Sequence, residues 1–201
     1  MSAAAKPGPV RPSLEIDVRQ TAAGWADALA DAEATVRRAA AAAFAAGGAG
    51  LAPGLYEVSL VLTDDETIRG LNRDWRGRDA PTNVLSFPAL DDAPSANLPV
   101  DMEAERLLGD VVIALETTAR EATRECKTLA DHLTHLAVHG MLHLLGCDHE
   151  TDAEAEVMEG LEKDILSGLG VADPYADGAG APDADARDTA RLDADAPGEA
   201  G

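Results

Sequence analysis

The segment Leu14 to Val18 alternates apolar and polar side chains, the period of a half-buried strand. From Ala22 to Ala46 the period changes. Trp25, Leu29, Val36 and Phe44 recur at helical spacing in an Ala-rich run, and Gly47, Gly48 and Gly50 end it. Tyr56 to Leu62 is a β-rich run and predicts a second strand. Thr63 then predicts an N-cap, with Glu66 completing a capping box. That helix carries Ile68, Leu71 and Trp75 on one face and stops near Gly77. Pro81 and Pro88 bracket a short strand at Thr82 to Phe87, and a flexible loop through Asp91, Asp92, Pro94 and Pro99 follows. Leu108 to Leu115 predicts a buried strand, and Glu116 to Lys127 a helix. The next helix opens at Thr128, with Asp131 in its N-terminal signature, and runs through Leu133, Leu136, Val138 and Leu142 to Gly146. Asp152 to Leu169 predicts the last helix.

This order predicts a single α/β domain of the α+β kind, with about four strands in a mixed sheet and about five helices. The expected domain covers residues 13–175, after a flexible N-terminus at 1–12. Residues 176–201 read as a disordered acidic tail. After Ala172 the chain sets Asp173, Asp177, Asp183, Asp185, Asp188, Asp193, Asp195 and Glu199 against Arg187 and Arg191 in an Ala, Pro and Gly background. The first twelve residues hold no apolar stretch fit for a signal peptide, and the longest apolar run, Ala39 to Ala46, is too short to span a bilayer. The expectation is a cytoplasmic protein with no membrane partner.

Aromatic residues make up only 3% of the chain, so Ala, Leu and Val must fill the core. The net charge of -21 argues against broad electrostatic affinity for nucleic acid, which depends on Lys and Arg neutralising phosphates. Against that stands a local basic cluster, Arg69, Arg73, Arg76 and Arg78, which can hold an anion on an otherwise acidic protein. Cys126 and Cys147 read as free thiols, although Cys147 falls inside the motif described next and is weighed there as a ligand.

All five histidines lie between His132 and His149. His139 and His143 are four apart in a predicted helix, so both rings lie on one face and can meet one ion. Gly146 breaks the helix and can take a left-handed conformation, which brings His149 back toward the same ion. Three neutral imidazoles leave one position of a tetrahedral ion open, as a catalytic zinc requires. The spacing H-x-x-x-H-x-x-G-x-x-H matches the metzincin ligand pattern, and a metzincin-like arrangement of this helix is expected. Metzincins carry a general-base glutamate after the first histidine, and here that residue is Gly140, so a protease reading loses its central group. His135 reads as a packing residue or a support behind the ligands, and His132 as a solvated helix residue. Asp148 either orients an imidazole or caps the turn.

The segment from His139 through Gly140, Gly146, Cys147 and Asp148 to His149 closely resembles the signature of the YbeY family. Two upstream stretches are also similar to that family. Leu71 to Pro88 reads LNRDWRGRDAPTNVLSFP, and Leu108 to Ile113 reads LGDVVI. Order and spacing agree from about Val58 to Tyr175. The resemblance implies a bacterial rRNA maturation factor, a zinc-dependent, single-strand-specific endoribonuclease acting in 16S rRNA 3'-end maturation and ribosome quality control. It implies one zinc ion on His139, His143 and His149, and a functional arginine at Arg76. A guanidinium there can grip a phosphate through two hydrogen bonds. Asp148, His135, Arg73 and Ser86 are candidates for supporting or substrate contacts, and Asn83 for a bond to RNA or to the strand edge. The implied partners are single-stranded rRNA and the small ribosomal subunit or its proteins. A second reading is a ribosome assembly factor with a structural metal, which a fourth ligand from Cys147 or Asp148 would favour. A metzincin-like protease is a third and weaker one.

Overall fold

The computed structural model describes residues 12–89, 105–147, 149 and 151–176. Alternation becomes structure most plainly in strand β2, Leu55–Thr63, where Tyr56, Val58, Leu60 and Leu62 point into the core and their neighbours point away. Strand β1, Ser13–Gln20, pairs with β2 in parallel. The last strand, β4 (Glu105–Ala114), pairs in parallel on the other side of β2. Strand β3, Val84–Pro88, runs antiparallel along β4 and forms the sheet edge, giving the order β1-β2-β4-β3. The four-stranded mixed sheet agrees with the α+β expectation.

Helices cover the two faces unequally. On one face lie α2 (Ala32–Gly47), α5 (Leu129–Leu144) and α6 (Asp152–Gly168), and they enclose the main core with Trp25, Tyr56, Leu60, Val111 and Ile113. Helix α2 presents Ala32, Val36, Ala39, Ala40 and Ala43 to this core, and small side chains let it approach α5 closely. Helix α5 is the centre of the molecule: every residue from His132 to Leu144 is buried. A helix enclosed all round lacks the polar stripe of a surface helix. Leu133, Leu136 and Leu142 in it each contribute about 2 kcal/mol through burial. On the other face α3 (Asp65–Arg76) packs Ile68 against Leu85, Val112 and Ala114. Helix α4 (Leu115–Arg124) leaves the end of β4 and packs on α5 and α3.

Some expectations need correction. The single helix over Ala22 to Ala46 is two helices, α1 (Gly24–Ala28) and α2, so the described residues form six α-helices, close to the five or so expected. Leu29 leaves the helical conformation at φ -152° and ψ 96°. The cause is tertiary: Trp25 is fully buried, and its Nε1 donates to the Thr63 carbonyl at 2.9 Å, which fixes α1 at the end of β2. The N-cap of α3 is Asp64 and not Thr63; Asp64 Oδ1 accepts from Thr67 N at 2.8 Å. Thr63 stays in β2 paired with Ala114, and an anionic cap suits the positive helix end better. The bond from the Thr67 amide holds the Asp64 carboxyl below its usual range. Helix α4 stops at Arg124, before the expected Lys127. Cys126 there takes a positive φ of 56°. The loop through Asp91 to Pro99 and the acidic tail from 177 lie outside the described residues, as do residues 1–11 of the N-terminus.

Candidate metal centre

The site begins with the end of α5. Thr128 caps its start by accepting from Asp131 N, as expected. At the other end Gly146 has φ 86°, a left-handed conformation that an L side chain rarely adopts. Cys147 N donates to Leu142 O, and Gly146 N to His143 O, both at 3.0 Å. This pair of bonds is the Schellman arrangement, and it reverses the chain within two residues. His149 therefore returns over the last turn of α5.

The consequence is convergence. One nitrogen from each of His139, His143 and His149 lies within 4.8 Å of the others. The Nε2 atoms of His139 and His143 are 3.0 Å apart. The His149 ring stands 4.8 Å from that of His143 and 5.7 Å from that of His139. Two nitrogens bound tetrahedrally at about 2.0–2.1 Å from zinc are about 3.4 Å apart, so small side-chain movements suit this trio to one ion. Burial, with His139 and His149 close by, pushes His143 down to about 3, so its ring is a neutral donor at physiological pH. Among the described residues the cluster consists of these three imidazoles and does not include Cys147. Burial instead pushes the Cys147 thiol up, away from the thiolate a metal needs. Asp148 lies outside the described residues.

Behind the trio is a carboxylate that the sequence reading missed. Glu162 of α6 is 1% exposed, and its Oε1 lies 2.8 Å from His139 Nδ1. Its Oε2 accepts from the Tyr175 hydroxyl and lies 3.8 Å from His135 Nε2. Burial alone would raise the Glu162 pKa, but the adjacent His135 and His139 rings outweigh it and hold the group well below the usual carboxylate range. A signal was present: Glu162 shares the buried face of α6 with Met158, Ile165 and Leu166, where a lone charge needs a partner.

The other candidates fall in different places. His135 is buried beside Glu162. His132 is not solvated: it is 2% exposed, and its Nε2 lies 2.9 Å from Glu121 Oε2. That same oxygen accepts from Asn83 Nδ2 at 3.0 Å, so Asn83 ties β3 to α4. His132 looks like a wet helix position in the sequence, yet the structure buries it against Glu121 of α4, as it buries His135 beside Glu162 of α6. Ser86 Oγ donates to the Gly140 carbonyl at 3.3 Å and joins the edge strand to helix α5. A Cβ on Gly140 would come within 2.6 Å of Val111 Cγ1, so a glutamate cannot stand there unless that side chain shifts. Arg76 is half-buried at the end of α3. Arg73 is exposed and paired with Asp74, and Arg69 binds Asp79 through two bonds of 2.7 and 2.9 Å. The basic cluster is thus partly neutralised by its own neighbours.

The family described as Endoribonuclease YbeY matches residues 22–170. The Endoribonuclease YbeY of Paramagnetospirillum magneticum is 53% identical over 163 residues, covering 81% of this chain and 96% of that protein. The Endoribonuclease YbeY of Rhodopseudomonas palustris is 58% identical over 147 residues, covering 73% of this chain and 82% of that one. Among solved structures, the solution structure of TM1509 from Thermotoga maritima matches with a TM-score of 0.45 and 20% identity, over 78% of this chain and 92% of that one. No helix among the described residues is long and apolar enough to cross a membrane. With this family match across most of its length, the chain belongs to the YbeY endoribonuclease family.

Proposed function

We propose that this chain is a zinc-dependent endoribonuclease that cuts single-stranded RNA during 16S rRNA 3'-end maturation and ribosome quality control in the cytoplasm. The observation that carries the reading is the convergence of three imidazoles with no fourth described protein ligand. A bound zinc ion would supply Lewis acidity, polarising a phosphoryl oxygen and lowering the pKa of a bound water toward about 7.

The chain's own residues do the rest. His139, His143 and His149 present neutral nitrogens. Arg76 holds the scissile phosphate in a fork of hydrogen bonds and stabilises the charge that grows on it. Gly140 places no carboxylate beside the first ligand, which separates this site from a metalloprotease. His139 and His143 are buried, so a phosphate within a duplex cannot easily reach them, and single-stranded substrate follows. Ser86, Arg73, Asp148 and His135 are supporting contacts in this reading. The net charge of -21 favours basic partners, such as proteins of the small ribosomal subunit, and these would deliver the rRNA.

The test is cleavage of a single-stranded RNA oligonucleotide by purified protein, with the same sequence as a duplex alongside. Wild type cuts the single strand and spares the duplex. Arg76→Ala loses about 100-fold or more in rate while keeping its metal, and His143→Ala loses activity. Equal cleavage by all three would identify a contaminating nuclease and overturn the reading.

A further inference from the structure

Tyr175 lies beyond residues 22–170, the span of the family match. Its hydroxyl nevertheless donates to Glu162 Oε2. Burial next to the Glu162 carboxylate raises the Tyr175 pKa, so the hydroxyl keeps its proton. The ring is gripped from two sides. Lys163 Nζ stands 4.8 Å over its centroid, and the His135 ring meets it edge-on at 6.0 Å. Glu162 thus divides its oxygens: Oε1 faces His139 Nδ1, and Oε2 faces Tyr175 with His135 beside it.

A carboxylate that accepts from Nδ1–H fixes an imidazole in the tautomer whose Nε2 lone pair is available. In His139 that free nitrogen is the one beside His143 Nε2. We propose that Glu162 and Tyr175 form a positioning clamp for metal binding: Tyr175 locks the Glu162 carboxylate, and Glu162 holds His139 in the metal-ready tautomer. The segment after α6 thereby becomes part of the metal centre. The inference rests on the metal reading of the three histidines. It adds that affinity depends on two residues that touch no metal and no RNA.

The experiment uses the full chain, stripped of metal with a chelator and titrated with zinc against a competing chromophoric chelator. A parallel titration with cobalt reads its visible absorption bands. Glu162→Gln is expected to bind zinc about 10- to 100-fold more weakly and to shift the cobalt bands. Tyr175→Phe removes only the hydroxyl and is expected to weaken binding less, in the same direction. Metal-free Tyr175→Phe should melt within a few degrees of metal-free wild type. Unchanged zinc affinity in Glu162→Gln overturns the clamp. So does a loss of affinity in Tyr175→Phe matched by an equal loss of the metal-free fold. A wild-type chain that takes up neither zinc nor cobalt would instead overturn the metal reading beneath the proposal.

Discussion

Ser86 and Gly140 meet where the sheet edge touches helix α5: the serine hydroxyl donates to the glycine carbonyl, and a Cβ on Gly140 would stand 3.1 Å from the serine Oγ. Val111 closes the same space from β4, with Cγ1 at 2.6 Å. The glycine lets α5 lie against β3 and β4 one residue after His139.

Replacing that glycine should therefore reverse the usual rule. Glycine to alanine inside a helix ordinarily stabilises by up to about 1 kcal/mol. Gly140→Ala is expected to destabilise by about 1–3 kcal/mol, because the new Cβ would force the fully buried Val111 side chain to shift. Urea denaturation of metal-free protein checks this. A stabilised variant would mean that the helix and sheet are not in close contact here.

The turn at Gly146 carries a different strain. Its φ of 86° is costly for any residue with a Cβ, by about 1–2 kcal/mol. Gly146→Val is expected to lose stability and also to weaken zinc binding, since the turn aims His149. Gly146→Asn should be milder on both counts, because asparagine tolerates the left-handed region. Chelator competition beside thermal melting separates the two effects.

Acid should unfold the metal-free protein earlier than its large acidic charge suggests. His143 sits near 3 in the fold against an ordinary 6.5, so the unfolded chain binds the additional proton. Stability from this group is fully present above about 6.5 and drains as pH falls from there toward 3. Glu162, also held low, acts in the same direction at more acidic pH. Melting temperature measured from pH 7.5 down to 4 should fall steadily, and His143→Asn should flatten the upper part of that curve.

The strands and the metal motif were legible because both are local signals. β2 alternates residue by residue, and the His139, His143, Gly146, His149 spacing lies within eleven residues of chain. What escaped depended on distant partners. The break at Leu29 follows from Trp25 bonding to a carbonyl 38 residues away. His132 is dry because Glu121, eleven residues back on another helix, satisfies it. Glu162 is 23 residues from the histidine it supports. A polar residue on a core-facing helix stripe is ambiguous in sequence: it reads as solvent exposure until a buried partner from another element is seen. In α5 that ambiguity arose at His132, and in α6 at Glu162.

Metal stoichiometry after purification and dialysis probes the central claim most directly, in wild type and in the single variants His139→Ala, His143→Ala and His149→Ala. The geometry predicts one zinc ion per chain in wild type and near-complete loss in each variant, with the secondary structure retained by circular dichroism. A full complement of metal in any one of the three variants would show that its imidazole is not a ligand and would contradict the three-histidine centre.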